Sequence, residues 1–165
     1  MRLIVLCAAI AVLSMPAFAQ TVTGGTAEDI KLLSARKQAM IDAYNKTDID
    51  GVAANYTEDA WHVSPRRSAA VGRAAIAAYF EPAMRVYLMD SQSKVLNVDI
   101  SGDTATMISE NELKGSPRPG AKGRDGAAPP PFVERRTNLT VFKKQADGRW
   151  LIHRFFDTTP PEMKQ

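Results

Sequence analysis

The residue best suited to acid–base chemistry in this chain is His62, because histidine alone titrates near neutral pH without help from its surroundings. It stands in Trp61-His62-Val63-Ser64-Pro65, whose content reads as a short strand. Side chains alternate along a strand, so His62 and Ser64 share one face. A hydrogen-bonded strand histidine with no chemistry is the alternative reading. The same alternation groups Arg136, Asn138 and Thr140 on one face of a later strand. If Trp150 and Ile152 point into the core, then Arg154, Phe156 and Thr158 share their side. An Arg154 guanidinium in an interior needs an anion, since an unpaired buried charge is very costly. That anion is either a carboxylate- or phosphate-bearing ligand, or an internal partner among Glu110, Glu112 and Glu134.

Other chemistries lack their residues. His62 and His153 are the only histidines, differ in expected facing, and form no H-x-H or H-x-x-x-H pair, so no metal site is expected. There is no G-x-S-x-G elbow, P-loop or dinucleotide fingerprint, and no cofactor is expected. Cys7 is the single cysteine. It falls in an opening segment with Arg2, an apolar run from Leu3 to Leu13, and Ala17-Phe18-Ala19 as a cleavage site. The run is shorter than the roughly 20 residues a bilayer needs. We expect a signal peptide over residues 1–19 and export to the periplasm or beyond, with no membrane attachment after its removal. Losing Arg2 leaves 20 basic against 18 acidic residues, a net charge near +2. So even a balance gives no strong field for a phosphate backbone, and no nucleic-acid partner is expected. Arg66-Arg67 reads as a solvated loop.

The elements that must position these residues follow from period and punctuation. Residues 20–25 read as a flexible leader. Thr26-Ala27-Glu28-Asp29 is a capping box. Ile30, Leu33, Met40, Ile41 and Tyr44 then recur at helical spacing, with Lys37 the charged exception on their face, its long stem expected to reach water. Asp48 caps a second, short helix through Tyr56. Glu58-Asp59 turns the chain into the His62 strand. Gly72 precedes a third helix to about Glu81, where Pro82 argues for an end or a distortion. Strands are expected over 84–90, 94–100, 104–113, 132–144 and 150–158. Helices followed by an antiparallel meander give an α+β domain over residues 26–159, with a tail at 160–165. Residues 115–131 hold four Gly and five Pro, and are either a mobile hairpin tip or a lid.

Three motifs occur in a telling order: Tyr56 to Ala60 (Tyr-x-x-Asp-Ala), Gly72 to Ile76 (Gly-Arg-x-x-Ile) and Asp147 to Ile152 (Asp-Gly-x-Trp-x-Ile). Together they resemble the nuclear transport factor 2-like (NTF2-like) superfamily, which includes ketosteroid isomerases and SnoaL-like proteins. The resemblance implies a cone-shaped, cystatin-like fold. Three N-terminal helices would pack on a curved antiparallel sheet round a cavity, and members often dimerise through the outer sheet face. Laid on the isomerase pattern, Ser64 falls where the proton-abstracting Asp stands. Met40 falls near the oxyanion-holding Tyr, and Thr140 near its partner acid. None can replace those groups, so isomerase chemistry of that type is not expected.

Given such a cavity, its expected lining is His62, Ser64, Asn138, Thr140 and Arg154 in an apolar frame of Tyr44, Tyr56, Tyr79, Trp150 and Phe156. The three tyrosines serve as core or rim aromatics, or as proton donors. Mostly apolar walls with a few orienting polar groups suit a small-molecule ligand. The leading expectation is binding of a small, partly apolar molecule. The alternatives are a cofactor-free isomerase, lyase or hydrolase using His62, and a non-catalytic assembly module. Leu139, Val141, Leu151 and Phe155 are expected on the outer face, pointing to a homodimer.

Overall fold

The computed structural model describes residues 21–158 apart from 66 and 124. The expected signal segment 1–19 and tail 160–165 lie outside the described residues. Helix α1 (Ala27–Asn45) opens with the capping box: the Thr26 hydroxyl accepts from the Asp29 N–H at 3.1 Å, and the Asp29 carboxylate accepts from the Thr26 N–H at 3.2 Å. Its buried stripe runs Asp29, Leu33, Lys37, Met40, Ala43, one residue per turn along a single face. Helix α2 (Ile49–Ala53) is capped by Asp48, which accepts from the Gly51 N–H at 2.8 Å. Helix α3 (Arg73–Val86) starts at Gly72, whose φ of 83° suits a residue without a Cβ.

Three boundaries differ from expectation. The second helix stops at Ala53, and strand β2 already begins at Tyr56, running Tyr56–Ser64. Helix α3 passes through Pro82 to Val86. An interior proline costs roughly 3 kcal/mol, but Ile76, Phe80 and Met84 form one buried stripe, and burying each side chain returns about 1.5–3 kcal/mol. Arg118 also donates to the Met84 carbonyl at 3.1 Å (Nε) and to the Val86 carbonyl at 2.9 Å (backbone N–H), covering the last turn. The chain around Arg67 is a strand, β3 (Arg67–Val71), paired antiparallel with β2.

The sheet has seven strands among the described residues, in the order β1-β4-β5-β6-β7-β2-β3. Beyond those already given they are β1 (Thr21–Thr23), β4 (Tyr87–Ser101), β5 (Thr104–Pro117), β6 (Phe132–Lys144) and β7 (Trp150–Thr158). It is mixed rather than antiparallel, because β1 runs parallel to β4 and β2 parallel to β7. Part of the expected leader is therefore a paired edge strand. The two segments expected at 84–90 and 94–100 form one long strand. The Gly/Pro-rich segment starts later than expected, since residues 115–117 still pair with β4. At Gly115 a Cβ would lie 2.2 Å from the Phe132 ring, which crosses it, so a side chain there would make that ring move.

Two bulges bend the sheet around α1. Val95 pairs with Ser109 and Asn97 with Ile108, so Leu96 is an extra residue in β4. Phe142 pairs with Ile152 and Val141 with Arg154, so His153 is an extra residue in β7. A bulge bends its strand and reverses which later residues face inward. The core under the sheet holds Leu33, Tyr56, Ile76, Met107, Phe142 and Trp150, all essentially buried. Among the described residues no helix is long and apolar enough to cross a membrane.

Candidate functional site

The β7 bulge decides the site. Before it, Trp150 and Ile152 face inward; after it, Phe155 and Asp157 do, while Phe156 faces out. In register across the inner wall, Met107, Thr140, Phe155 and His62 form one row. Ser109, Asn138 and Asp157 form the next, and Asn111 and Arg136 the one beyond. Helix α1 closes over these rows with Lys37, Met40, Ile41 and Tyr44, and α3 contributes Phe80. Between them lies a cavity with about 70 Å³ open to the centres of water-sized spheres. One water needs only about 10–15 Å³ on that measure. The space is several times what one water needs.

His62 sits in an aromatic cage. Its ring stacks on Phe155 at 4.9 Å and 8°, meets Phe80 edge-on at 4.9 Å, and lies 4.5 Å from Tyr79. Burial, with the Arg136 charge adding to it, lowers its pKa to about 4, so the imidazole is neutral at pH 7. The Tyr56 hydroxyl lies 3.2 Å from Nδ1, and burial raises that phenol well above its ordinary range. A buried phenol has one proton to place, and leaving a donor unmade is costly. Tyr56 therefore donates to Nδ1, which fixes the other tautomer. His62 carries its proton on Nε2, a buried atom with no hydrogen-bond partner among the described residues. In that state His62 is a hydrogen-bond donor and not a base.

The same wall, one and two rows on, is ionic. Arg136 pairs with both Asp157 and Glu134, and Asn138 donates to Asp157 at 2.5 Å. Burial alone would lower the guanidinium's pKa, yet the two acids outweigh it and raise it. Burial raises the Asp157 carboxyl against the opposing pull of Arg136 and Asn138. Tyr44 is pushed up to about 12, mainly by burial. The Ser93, Ser109 and Thr140 hydroxyls also lack partners among the described residues, and none of the three lines the cavity.

Lys37 stands apart from this network. It is 6% exposed and lines the cavity, so its stem does not carry it to water as expected. Its Nζ lies 5.9 Å from the centre of the Phe155 ring, and it makes no hydrogen bond or ion pair with the described residues. Burial lowers its pKa to about 8, with Asp157 only partly restoring it.

Of the expected lining, His62, Tyr44 and Asn138 meet at the cavity. Tyr56 stands behind His62 as its partner, and Tyr79 packs on the His62 ring. Ser64 and Thr140 are buried but outside the lining. Trp150 belongs to the far end of the core, where its Nε1 donates to Asp29 at 3.2 Å. Arg154 and Phe156 are corrected outright. Arg154 lies outside, donating to the Asp59 and His153 carbonyls beside Trp61, and Phe156 is 37% exposed. Phe155, expected outside, is an inner-wall residue, and Leu151 is buried too. Strict alternation through His153 gives the opposite facing, and nothing in the local sequence marks that residue as a bulge. Asp157 was missed for the same reason. Lys37 had a visible signal: its position on the α1 stripe, between Leu33 and Met40. No described residue of 118–131 lines the cavity, and nothing there supports a lid. Among the described residues no group of His, Cys, Asp and Glu is arranged to hold a metal ion.

Comparison with known proteins agrees with this architecture. A ketosteroid isomerase-like protein from Erwinia carotovora atroseptica is 24% identical, with a TM-score of 0.68 over 82% of this chain and 98% of its own. A candidate dehydratase of the NTF2-like family from Streptomyces avermitilis is 15% identical, with a TM-score of 0.68 over 81% and 98%. An NTF2-like protein with a cystatin-like fold from Novosphingobium aromaticivorans is 16% identical, with a TM-score of 0.60 over 82% and 84%. At these identities the likeness is one of fold. No curated protein matches the chain. The model of the SnoaL-like domain matches residues 38–153, well over half the chain, and the protein therefore belongs to the SnoaL-like family within the NTF2-like superfamily.

Proposed function

We propose that this protein binds a small, largely apolar molecule carrying a carbonyl-type oxygen, with that oxygen accepting from His62 Nε2. The observation that carries the reading is a buried imidazole donor without a partner, caged by Tyr79, Phe80 and Phe155 at the wall of a cavity. A donor left unmade in a dry site costs about 1–3 kcal/mol, and an acceptor oxygen recovers it. The composition of residues 1–19 supports export, with the periplasm or the exterior as the place of action.

The test is a matched pair of ligands. Acetophenone and ethylbenzene have nearly the same shape, and one carries the oxygen. Acetophenone should bind about tenfold more tightly, as one recovered hydrogen bond implies, and His62→Phe should abolish the preference. Equal binding of the two by the unaltered protein would refute the reading.

A catalytic version is favoured by one further observation. Asp157 and Lys37, two groups able to accept a proton, line the same cavity as the His62 donor. An oxyanion-type donor and a base on one cavity wall suit cofactor-free proton transfer beside a carbonyl. Asp157, not His62, is then the base. The candidate dehydratase and isomerase-like proteins of the same fold are consistent with such chemistry. Exchange of acetophenone methyl protons with deuterated water, lost in Asp157→Asn, is the measurement that decides it.

The outer sheet face supports a homodimer. Ile108, Leu139 and Phe156 follow one another in register across β5, β6 and β7, each more than a third exposed. Trp61 and Val71 pair beside them and are exposed as well. A contiguous apolar patch of this kind marks a partner surface.

A further inference from the structure

Lys37 is a buried cavity residue whose amine the binding reading does not use. It is an amine on the buried stripe of α1, where an alkyl side chain of similar length would pack without the cost of a charge. The anions nearest to it are already engaged, since Asp157 and Glu134 both pair with Arg136. Its only described neighbour of note is the Phe155 ring. That ring is also the one on which His62 stacks, so the amine and the imidazole donor flank the same part of the wall.

We propose that Lys37 is a covalent site, whose Nζ condenses with the carbonyl carbon of an aldehyde or ketone held in the cavity to form an imine. This rests on the carbonyl-binding reading above and extends it. With the carbonyl oxygen accepting from His62 Nε2, the carbon is polarised towards attack. The Nζ lone pair forms the C–N bond as the C=O π pair moves to oxygen. The oxygen then takes the two amine hydrogens and leaves as water, the C–O bond breaks, and C=N remains. No oxidant, reductant or cofactor enters the balance. A ligand anion is the poorer occupant, because Lys37 and Arg136 already balance Asp157 and Glu134 when Lys37 is charged.

The site's titration is consistent with the role. A desolvated lysine holds free amine at neutral pH and so becomes a usable nucleophile. The titratable groups that line the cavity with it are Tyr44 from α1, His62 from β2, Arg136 from β6 and Asp157 from β7, and Glu134 lies behind them on Arg136. Of these, Asp157 favours the charged amine, though burial outweighs it.

The test uses the protein with benzaldehyde and cyanoborohydride, which reduces an imine to a stable secondary amine, followed by peptide mapping. At pH 7.5 a lysine titrating near 8 holds roughly a hundredfold more free amine than one titrating near 10.4. Lys37 should therefore be labelled at least about tenfold faster than any exposed lysine, after allowance for its lower basicity. Its labelling should reach half its plateau near pH 8. Lys37→Arg and Lys37→Met should lose this labelling. Labelling spread evenly over exposed lysines, in a protein that retains the acetophenone preference, overturns the covalent site and leaves the binding reading standing. Loss of the preference together with the selective labelling overturns both.

Discussion

The two ends of helix α1 meet the same sheet and are built on opposite principles. At the N-terminal end every buried polar group has a partner. Asp29 accepts from Thr26, from Lys144 at 2.7 Å and from Trp150 Nε1 at 3.2 Å. Arg36 joins the Trp150 carbonyl at 2.8 Å to the Asn55 side chain at 3.0 Å. From Lys37 onward the interior keeps an amine with no ion pair, an unpartnered imidazole nitrogen and three unpartnered hydroxyls among the described residues. Satisfied buried networks rigidify a fold, whereas unsatisfied ones cost it stability. One end of the helix therefore fixes the scaffold, and the other leaves polar capacity unused.

The contrast can be attacked first at the closed end. Trp150 is 1% exposed, and Trp150→Ala should cost about 3–5 kcal/mol, read from urea denaturation midpoints. It removes the ring that the Asp29 carboxylate and the core share, so a loss near 1 kcal/mol would show this end to be no more tightly built than the cavity.

Acid should act mainly on the open end. His62 titrates near 4 in the folded chain against about 6.5 when unfolded. Its folded pKa is depressed, so the stability it supports is complete above 6.5 and falls as pH drops towards 4. The unfolded state binds the proton first in that window. The expected loss is about 3 kcal/mol. His62→Phe should flatten that part of the profile. An unchanged slope would mean that the imidazole is reached by water.

Lys37 gives the same sign with the opposite lesson. Its folded pKa of about 8 lies below the unfolded value of about 10.4. Between these limits stability rises with pH, and at pH 7 the lysine carries its full desolvation cost. Lys37→Met should therefore stabilise the protein at pH 7 by about 2–3 kcal/mol, and the advantage should shrink towards zero near pH 10.5. A destabilising Lys37→Met would place the amine in a contact that the wall does not present.

How much of this was legible in the residues depends on whether periodicity survived. The capping box at Thr26, the Asp48 cap and the Gly72 start are local chemistry, and each stands where the sequence places it. The fold itself followed from three motifs in order. Strand facing failed at His153, because a bulge is fixed by its partner strands and leaves no mark on its own four or five residues. That one extra residue moved Arg154 and Phe156 outward and brought Phe155 and Asp157 in. Pro82 misled in the other direction: a local breaker lost to three buried turns of α3. Lys37 was visible as a charge on an apolar stripe. Its burial depends on the sheet curling over it, which no window of α1 contains.

The smallest energetic effect belongs to the outer face, yet it separates the sheet's two sides most cleanly. Leu139→Asp places a charge on an exposed residue, and such surface changes usually alter monomer stability by no more than about 0.5 kcal/mol. In a two-fold symmetric dimer the same patch meets its own copy, so each substitution is counted twice and two like charges face one another. Sedimentation should then shift from dimer to monomer at micromolar protein, while the acetophenone preference stays intact because Leu139 points away from the cavity. If the unaltered protein already sediments as a monomer, the exposed row of Ile108, Leu139 and Phe156 has no role in self-association. If Leu139→Asp instead weakens ligand binding without changing mass, the two faces of the sheet are coupled through β6, and the cavity is not the self-contained site that its inward rows describe.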